Sequence, residues 1–140
     1  MSRVMAVDWG TRRIGVAVSD ETWSLARTLP TLNVTSAKEA ARLLLTLVQE
    51  HDVAILVVGN PVHMSGREGS SAQHVHQLVD KLQPRLPGVR FVLWDERLSS
   101  HQAQEILRER QEKIRGAPGR LDQVAAALLL QSFLDSEPAR

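Results

Sequence analysis

The chain opens with Val4-Met5-Ala6-Val7-Asp8-Trp9, turns through Gly10-Thr11-Arg12, and continues Arg13-Ile14-Gly15-Val16-Ala17-Val18-Ser19. Two apolar, β-branched runs separated by a Gly-containing turn read as two strands of a buried sheet. A carboxylate stands at the tip of the first. An ionised side chain in such a place is costly unless it is hydrogen-bonded, paired or bound to a metal, so Asp8 is expected to carry a function.

Strand signals occupy residues 4–9, 14–19, about 29–34, 53–59 and 89–94, each rich in branched apolar side chains. Helical spacing follows over residues 37–50, apolar at 40, 41, 44, 47 and 48, and over 72–82, apolar at 75, 78, 79 and 82. Two more helices are expected over residues 100–110 and 121–134. Ser36 with Glu39, Ser70 with Gln73 and Ser99 with Gln102 read as capping boxes at three helix starts. Residues 113–119, with Gly116, Pro118 and Gly119, read as a loop.

This order predicts an α/β domain over residues 1–140 with a five-stranded mixed sheet flanked by helices. If the first, fourth and fifth strands run parallel, their C-terminal ends share one edge, where open sheets bind ligands. That edge would gather Asp8, Asn60 and the Asp95-Glu96 pair.

The chain has no cysteine, so any metal must be held by oxygen or imidazole, which favours hard cations such as Mg2+ or Mn2+. No basic leader with a long apolar run and no stretch long enough to span a bilayer is present. A cytoplasmic location is the expectation. A formal charge of +1 is too mild to mark a nucleic-acid binder by itself. The basic residues are nevertheless almost all arginine, with Lys38, Lys81 and Lys113 the exceptions, and arginine's planar fork suits bidentate phosphate contact.

Asp95-Glu96-Arg97 closes the fifth strand, where neighbouring side chains point to opposite faces. One acid would face the edge; alternatively, Asp95 or Glu96 simply caps the next helix or pairs with Arg97. Asp122 shares a helical stripe with Ala125, Ala126, Leu129 and Phe133. It either completes an acidic site or serves the helix dipole from the first turn. Asp8, Glu96 and Asp122 together would form an oxygen-ligand cluster that only cations could neutralise. Two divalent ions about 3.5 to 4 Å apart can activate water and stabilise the leaving oxygen at phosphorus.

The segment from Gly59 to Ala72 is glycine-rich and leads into a helix, a setting that can cradle an oxyanion or serve as an ordinary connection. His63 within it could touch a phosphate. Of the three tryptophans, Trp94 reads as a packing residue and Trp9, beside Asp8, as a platform for base stacking.

The chain resembles the YqgF/RuvX family of RuvC-like nucleases over nearly its whole length. The resemblance is carried by Val7-Asp8-Trp9-Gly10-Thr11-Arg12-Arg13-Ile14-Gly15-Val16-Ala17 with Ser19-Asp20, by Val58-Gly59-Asn60-Pro61 through Gly66 and Glu68-Gly69, by Asp95-Glu96-Arg97-Leu98-Ser99, and by Leu121-Asp122 with Ala125-Ala126 before Leu130-Gln131. It implies a ribonuclease H-like fold and a metal-dependent nuclease whose acids are Asp8, Glu96 and Asp122. It also implies a substrate in the 5′ end of pre-16S ribosomal RNA, in four-way DNA junctions, or in both. Family members often carry Met-Asp-Gly in the central loop, where this chain has Met64-Ser65-Gly66.

Two other readings compete. Asp-x-Gly-Thr before an apolar strand is similar to the phosphate loop of actin-like ATPases, but a second such segment is missing here. A non-catalytic ribosome-assembly factor would keep the fold and bind nucleic acid through its arginines. The reading adopted is a metal-dependent nuclease for structured nucleic acid, with water as nucleophile. Asp8, Glu96 and Asp122 hold the ions, Asp95 is a reserve ligand, and Arg12, Arg13, Arg67 and Arg97 contact phosphates. A homodimer would match the two-fold symmetry of a junction.

Overall fold

Strand β1 (Arg3–Trp9) takes the centre of the sheet because it is apolar on both faces, with Val4, Met5, Ala6 and Val7 fully buried. The computed structural model describes residues 2–9, 13–60, 70–95 and 118–136, of which 60, 70–72, 95 and 118–124 are given by backbone alone. Around β1 lie β2 (Arg13–Ser19), β3 (Ala26–Asn33), β4 (Val53–Asn60) and β5 (Arg90–Asp95), in the order β3-β2-β1-β4-β5. β2 pairs antiparallel with both β1 and β3, whereas β4 runs parallel to β1 and β5 parallel to β4. The C-terminal ends of β1, β4 and β5 therefore share one edge, as expected for parallel strands.

Helices α1 (Ala37–Glu50) and α2 (Ser70–Leu82) cover one face. Met5, Val7, Leu56 and Val58 from the strands meet Ala40, Leu44 and Val48 of α1 and Val75, Leu78 and Leu82 of α2. The long C-terminal helix α3 (Pro118–Ser136) covers the other face, where Ala126, Leu129, Leu130 and Phe133 meet Val4, Ala6, Ala17, Ile55 and Val57. Helices as short as α1 and α2 are marginal alone in water. Each buried Val or Leu contributes roughly 1.5–3 kcal/mol, so the apolar stripe holds them in place. Among the described residues no helix is long and apolar enough to cross a membrane.

The Ser36 cap forms as expected: Ser36 Oγ accepts from Glu39 N–H at 3.1 Å, and Glu39 Oε1 accepts from Thr35 N–H at 3.1 Å. Ser70 is the first residue of α2 rather than its cap, and the helix starts before the expected residue 72. α3 likewise starts at Pro118, inside the segment read as a loop. Proline is tolerated there because the first helical N–H groups have no intrahelical acceptor. The expected helix over residues 100–110 and the Ser99 cap lie outside the described residues.

β3 starts at Ala26, three residues before its expected start near 29, and a turn sets this register. Asp20 Oδ1 accepts from Ser24 N–H at 2.8 Å and from Leu25 N–H at 3.3 Å, while Thr22 Oγ1 donates to Oδ2 at 3.0 Å. These bonds, with that from Ser24 first, hold the Asp20 carboxyl below its ordinary value against an opposing desolvation. The clamp delivers Ala26 opposite Ser19. Ala26 N–H then donates to Gln131 Oε1 of α3 at 3.0 Å. Further along, Val16 pairs with Leu29 but Ile14 with Leu32, so β3 carries one extra residue beside Pro30.

Candidate active site

Side chains alternate along β1: Val4 and Ala6 pack under α3, Met5 and Val7 under α1 and α2. Alternation puts Asp8 on the α3 face, where it is half-buried one residue from the end of the strand. Its cross-strand partner on β2 is Gly15. On the other side Val7 pairs with Val58, which brings Gly59 of β4 beside Asp8. The carboxylate thus has a residue without a side chain on each neighbouring strand. Glycine inside a strand weakens it and marks a bulge, a bend or a close approach; Gly15 sits at the β2–β3 register shift.

Gly59 pairs in turn with Trp94 of β5. Trp94 packs edge-on against Phe133 of α3, ring centroids 5.3 Å apart at 90°, and its Nε1–H donates to Ser132 Oγ at 3.3 Å. It is a packing residue, as expected. Trp9 is one too, which corrects the base-stacking expectation: its ring stacks on His74 of α2 at 6.2 Å and 28° and packs against the α1–α2 core. Its buried Nε1–H has no hydrogen-bond partner among the described residues.

Asp95 is the last residue of β5, opposite Asn60 at the end of β4. The chain next enters Glu96 and Arg97, which lie outside the described residues, as do Arg12, Arg67, His63 and residues 61–69 of the glycine-rich segment. Arg13 opens β2 at this same edge and pairs with Asn33 of β3. Asp122 lies on the α3 backbone, four residues beyond Pro118. The first turn of α3 contains no acid. A dipole role for Asp122 is weakened accordingly, because that effect fades beyond the first turn.

Of the three acids expected to act together, Asp8 is the one whose side chain is described. No three His, Asp or Glu side chains cluster around a metal position among the described residues. The expected donor set is wholly carboxylate in a chain without cysteine, and that chemistry fits a hard divalent cation. Gly15 and Gly59 are the positions that sequence reasoning passed over. The alternation that places Asp8 and Ala6 on one face was legible, but the glycines' position beside Asp8 requires the pairing register.

Residues 2–136 match the family described as "RuvX: Holliday junction resolvase". A Roseiflexus protein named "Putative pre-16S rRNA nuclease" is 42% identical over 135 residues, covering 96% of this chain and 95% of the relative. A protein of Endomicrobium trichonymphae with the same name is 36% identical over 139 residues, covering 96% of each. Among solved structures, Thermus thermophilus RuvC in complex with a Holliday junction substrate aligns with TM-score 0.64 at 18% identity, covering 100% of this chain and 99% of that one. A yeast mitochondrial Holliday junction resolvase aligns with TM-score 0.62 at 14% identity, covering 95% and 78%. These structures share with the chain the ribonuclease H-like sheet order and its flanking helices. On the strength of its nearly full-length match and its relatives, the chain belongs to the RuvX family.

Proposed function

We propose that the protein is a divalent-metal-dependent nuclease that hydrolyses phosphodiester bonds in structured nucleic acid, with Asp8, Glu96 and Asp122 as its catalytic and metal-holding acids. The observation that carries this reading is the place of Asp8: at the shared C-terminal edge, on the α3 face, between Gly15 and Gly59. Glu96 is the next residue in the sequence after Asp95, which ends β5 at the same edge. Helix length supports Asp122 as the third member. Gln131 is tied to Ala26, the partner of Ser19, and from there the helix rises about 13 Å back to Asp122. β2 spans about the same distance from Ser19 to Gly15, and α3 packs chiefly on β2 and β3.

In this reading the glycines leave room for a phosphate over the sheet beside Asp8. The three carboxylates repel one another when bare and so favour cation uptake; a bound divalent ion supplies charge stabilisation at the phosphate oxygens. A carboxylate oxygen orients the attacking water. The bond from the water oxygen to phosphorus forms as the bond to the leaving sugar oxygen breaks; the water gives up a proton to solvent or a carboxylate, and the leaving oxygen takes one up from solvent. Asp95 is a reserve ligand, and Arg12, Arg13, Arg67 and Arg97 hold neighbouring phosphates.

The names of the relatives favour the 5′ end of pre-16S rRNA as substrate, and the fold shared with RuvC supports four-way DNA junctions as a second one. We further propose that the protein acts in the cytoplasm, with Mg2+ or Mn2+, and as a homodimer on junctions. The test is cleavage of a 5′-extended precursor RNA and of a four-way DNA junction with magnesium, with manganese and with excess chelator. Asp8→Asn and Asp122→Asn are expected to keep binding and lose cutting. Cleavage that persists in chelator overturns the metal role. Wild type that binds without cutting, indistinguishable from both variants, replaces the nuclease with a binding factor.

A further inference from the structure

A cavity of about 590 Å3 opens between α1 and the end of α2. Lys38 and Arg42 of α1 line it together with Lys81 of α2 and Arg85 of the 3-10 turn that follows, and all four are exposed. Two of the chain's three lysines are here. Glu39 is the acid in the lining, and its Oε1 is engaged by Thr35 N–H. Among the described residues no carboxylate forms an ion pair with any of the four cations. Four cations against the one carboxylate of Glu39 leave the lining positive, and the raised local potential attracts anions. Ser36 adds a hydroxyl at the start of α1.

The α1 end of the cavity starts near the edge that holds Asp8. Arg13 opens the neighbouring strand β2 and pairs with Asn33, the last residue of β3. Asn33 is therefore about two strand spacings, roughly 10 Å, from β1. Three residues more, at most about 11 Å of chain, lead to Ser36. The start of α1 is therefore within about 20 Å of β1 at the edge that holds Asp8, and the cavity lies on the sheet face opposite Asp8.

We infer that this cavity is a second nucleic-acid contact, gripping the phosphodiester backbone of the strand that flanks the cleaved bond through Lys38, Arg42, Lys81 and Arg85. The inference rests on the nuclease reading for its choice of ligand. A polynucleotide fits better than a small anion because the cations are spread over α1, α2 and the turn after it.

The test compares wild type with the Lys38→Gln/Arg42→Gln/Lys81→Gln/Arg85→Gln variant, whose melting temperature confirms that it folds. Binding of a labelled four-way DNA junction and of a stem-loop RNA is followed by fluorescence anisotropy across salt concentrations. The expected result is at least a tenfold rise in Kd at low salt. The salt slope should fall by about 0.7–0.9 for each phosphate contact removed. A loss confined to one probe assigns the groove to RNA or to DNA. Unchanged Kd and slope for both probes overturn the inference, as does failure of wild type to bind either. Loss of adenosine monophosphate binding with both polynucleotides still bound makes the cavity a small-anion site and also overturns it. Cleavage is scored separately. Wild type that binds through these residues without cutting defeats the nuclease reading alone, and wild type that cuts while the variant binds normally defeats the groove alone.

Discussion

Asp8 and Gly15 face each other across the β1–β2 ladder, so the carboxylate has no side chain at its cross-strand position. Gly15 is buried, and α3 packs on its strand. Gly15→Val should fill the space beside Asp8 and press against the helix. Overpacking of this kind costs about 1–3 kcal/mol, and misplacing a reacting group by an ångström costs on the order of 100-fold in rate. Thermal melting and single-turnover cleavage, measured together, should show activity falling much further than stability. Gly15→Ala should lie between. Full activity in Gly15→Val would mean that the space beside Asp8 is not used.

Ser19 tests the opposite end of the sheet. It is 2% exposed, and its Oγ accepts from Val4 N–H at 2.9 Å while its O–H donates to the Asp20 carbonyl at 2.8 Å. Ser19→Ala leaves the buried Val4 N–H without an acceptor, a loss of about 1–3 kcal/mol. Denaturant unfolding should register it, with cleavage unaffected below the transition.

Asp20 makes a pH-dependent contribution. Its carboxyl is held below the ordinary value of 3.8 by the bond from Ser24 N–H and then by those from Leu25 and Thr22. A group depressed in the folded state stabilises fully above its unfolded value, and that stabilisation disappears as pH falls through the lower folded one. Asp20→Ala should therefore melt below wild type at neutral pH, and the two curves should converge in strong acid. A gap that persists in acid would assign the effect to something other than the carboxylate.

Phe133 anchors α3 from a position 1% exposed, against the edge of Trp94. Phe133→Ala should cost about 3–5 kcal/mol through lost burial and the cavity left behind. Tryptophan emission should also shift as the Trp94 indole loses its neighbour. The measurement is a denaturant curve followed by fluorescence.

The strands and helices with strong periodicity were legible, since Val4 to Val7, Ala40-Leu44-Val48 and Val75-Leu78-Leu82 bury the faces their spacing implied. The start of β3 was not. Ala26-Arg27-Thr28 lacks the branched pattern, and its place comes from the Asp20 clamp and from Gln131, 105 residues away from Ala26. Trp9 misled for a related reason: proximity to Asp8 in sequence says nothing of the opposite face, where alternation sends the indole towards His74. The place of Asp8 near the end of β1 was readable from the apolar run before it, whereas the positions of Gly15 and Gly59 beside it needed the register. Lys38 and Lys81 belong to separate helices and become neighbours only through packing.

Pro30 and the extra residue beside it lie in β3, the outermost strand on that side of the sheet. Proline offers no N–H to an incoming strand, and a bulge spoils the regular ladder such a strand would copy. That margin is a poor template for strand addition, whether by a stray chain in early aggregation or by a twin molecule seeking a continuous ten-stranded sheet. Two copies joined as a dimer would have to meet elsewhere than along this margin.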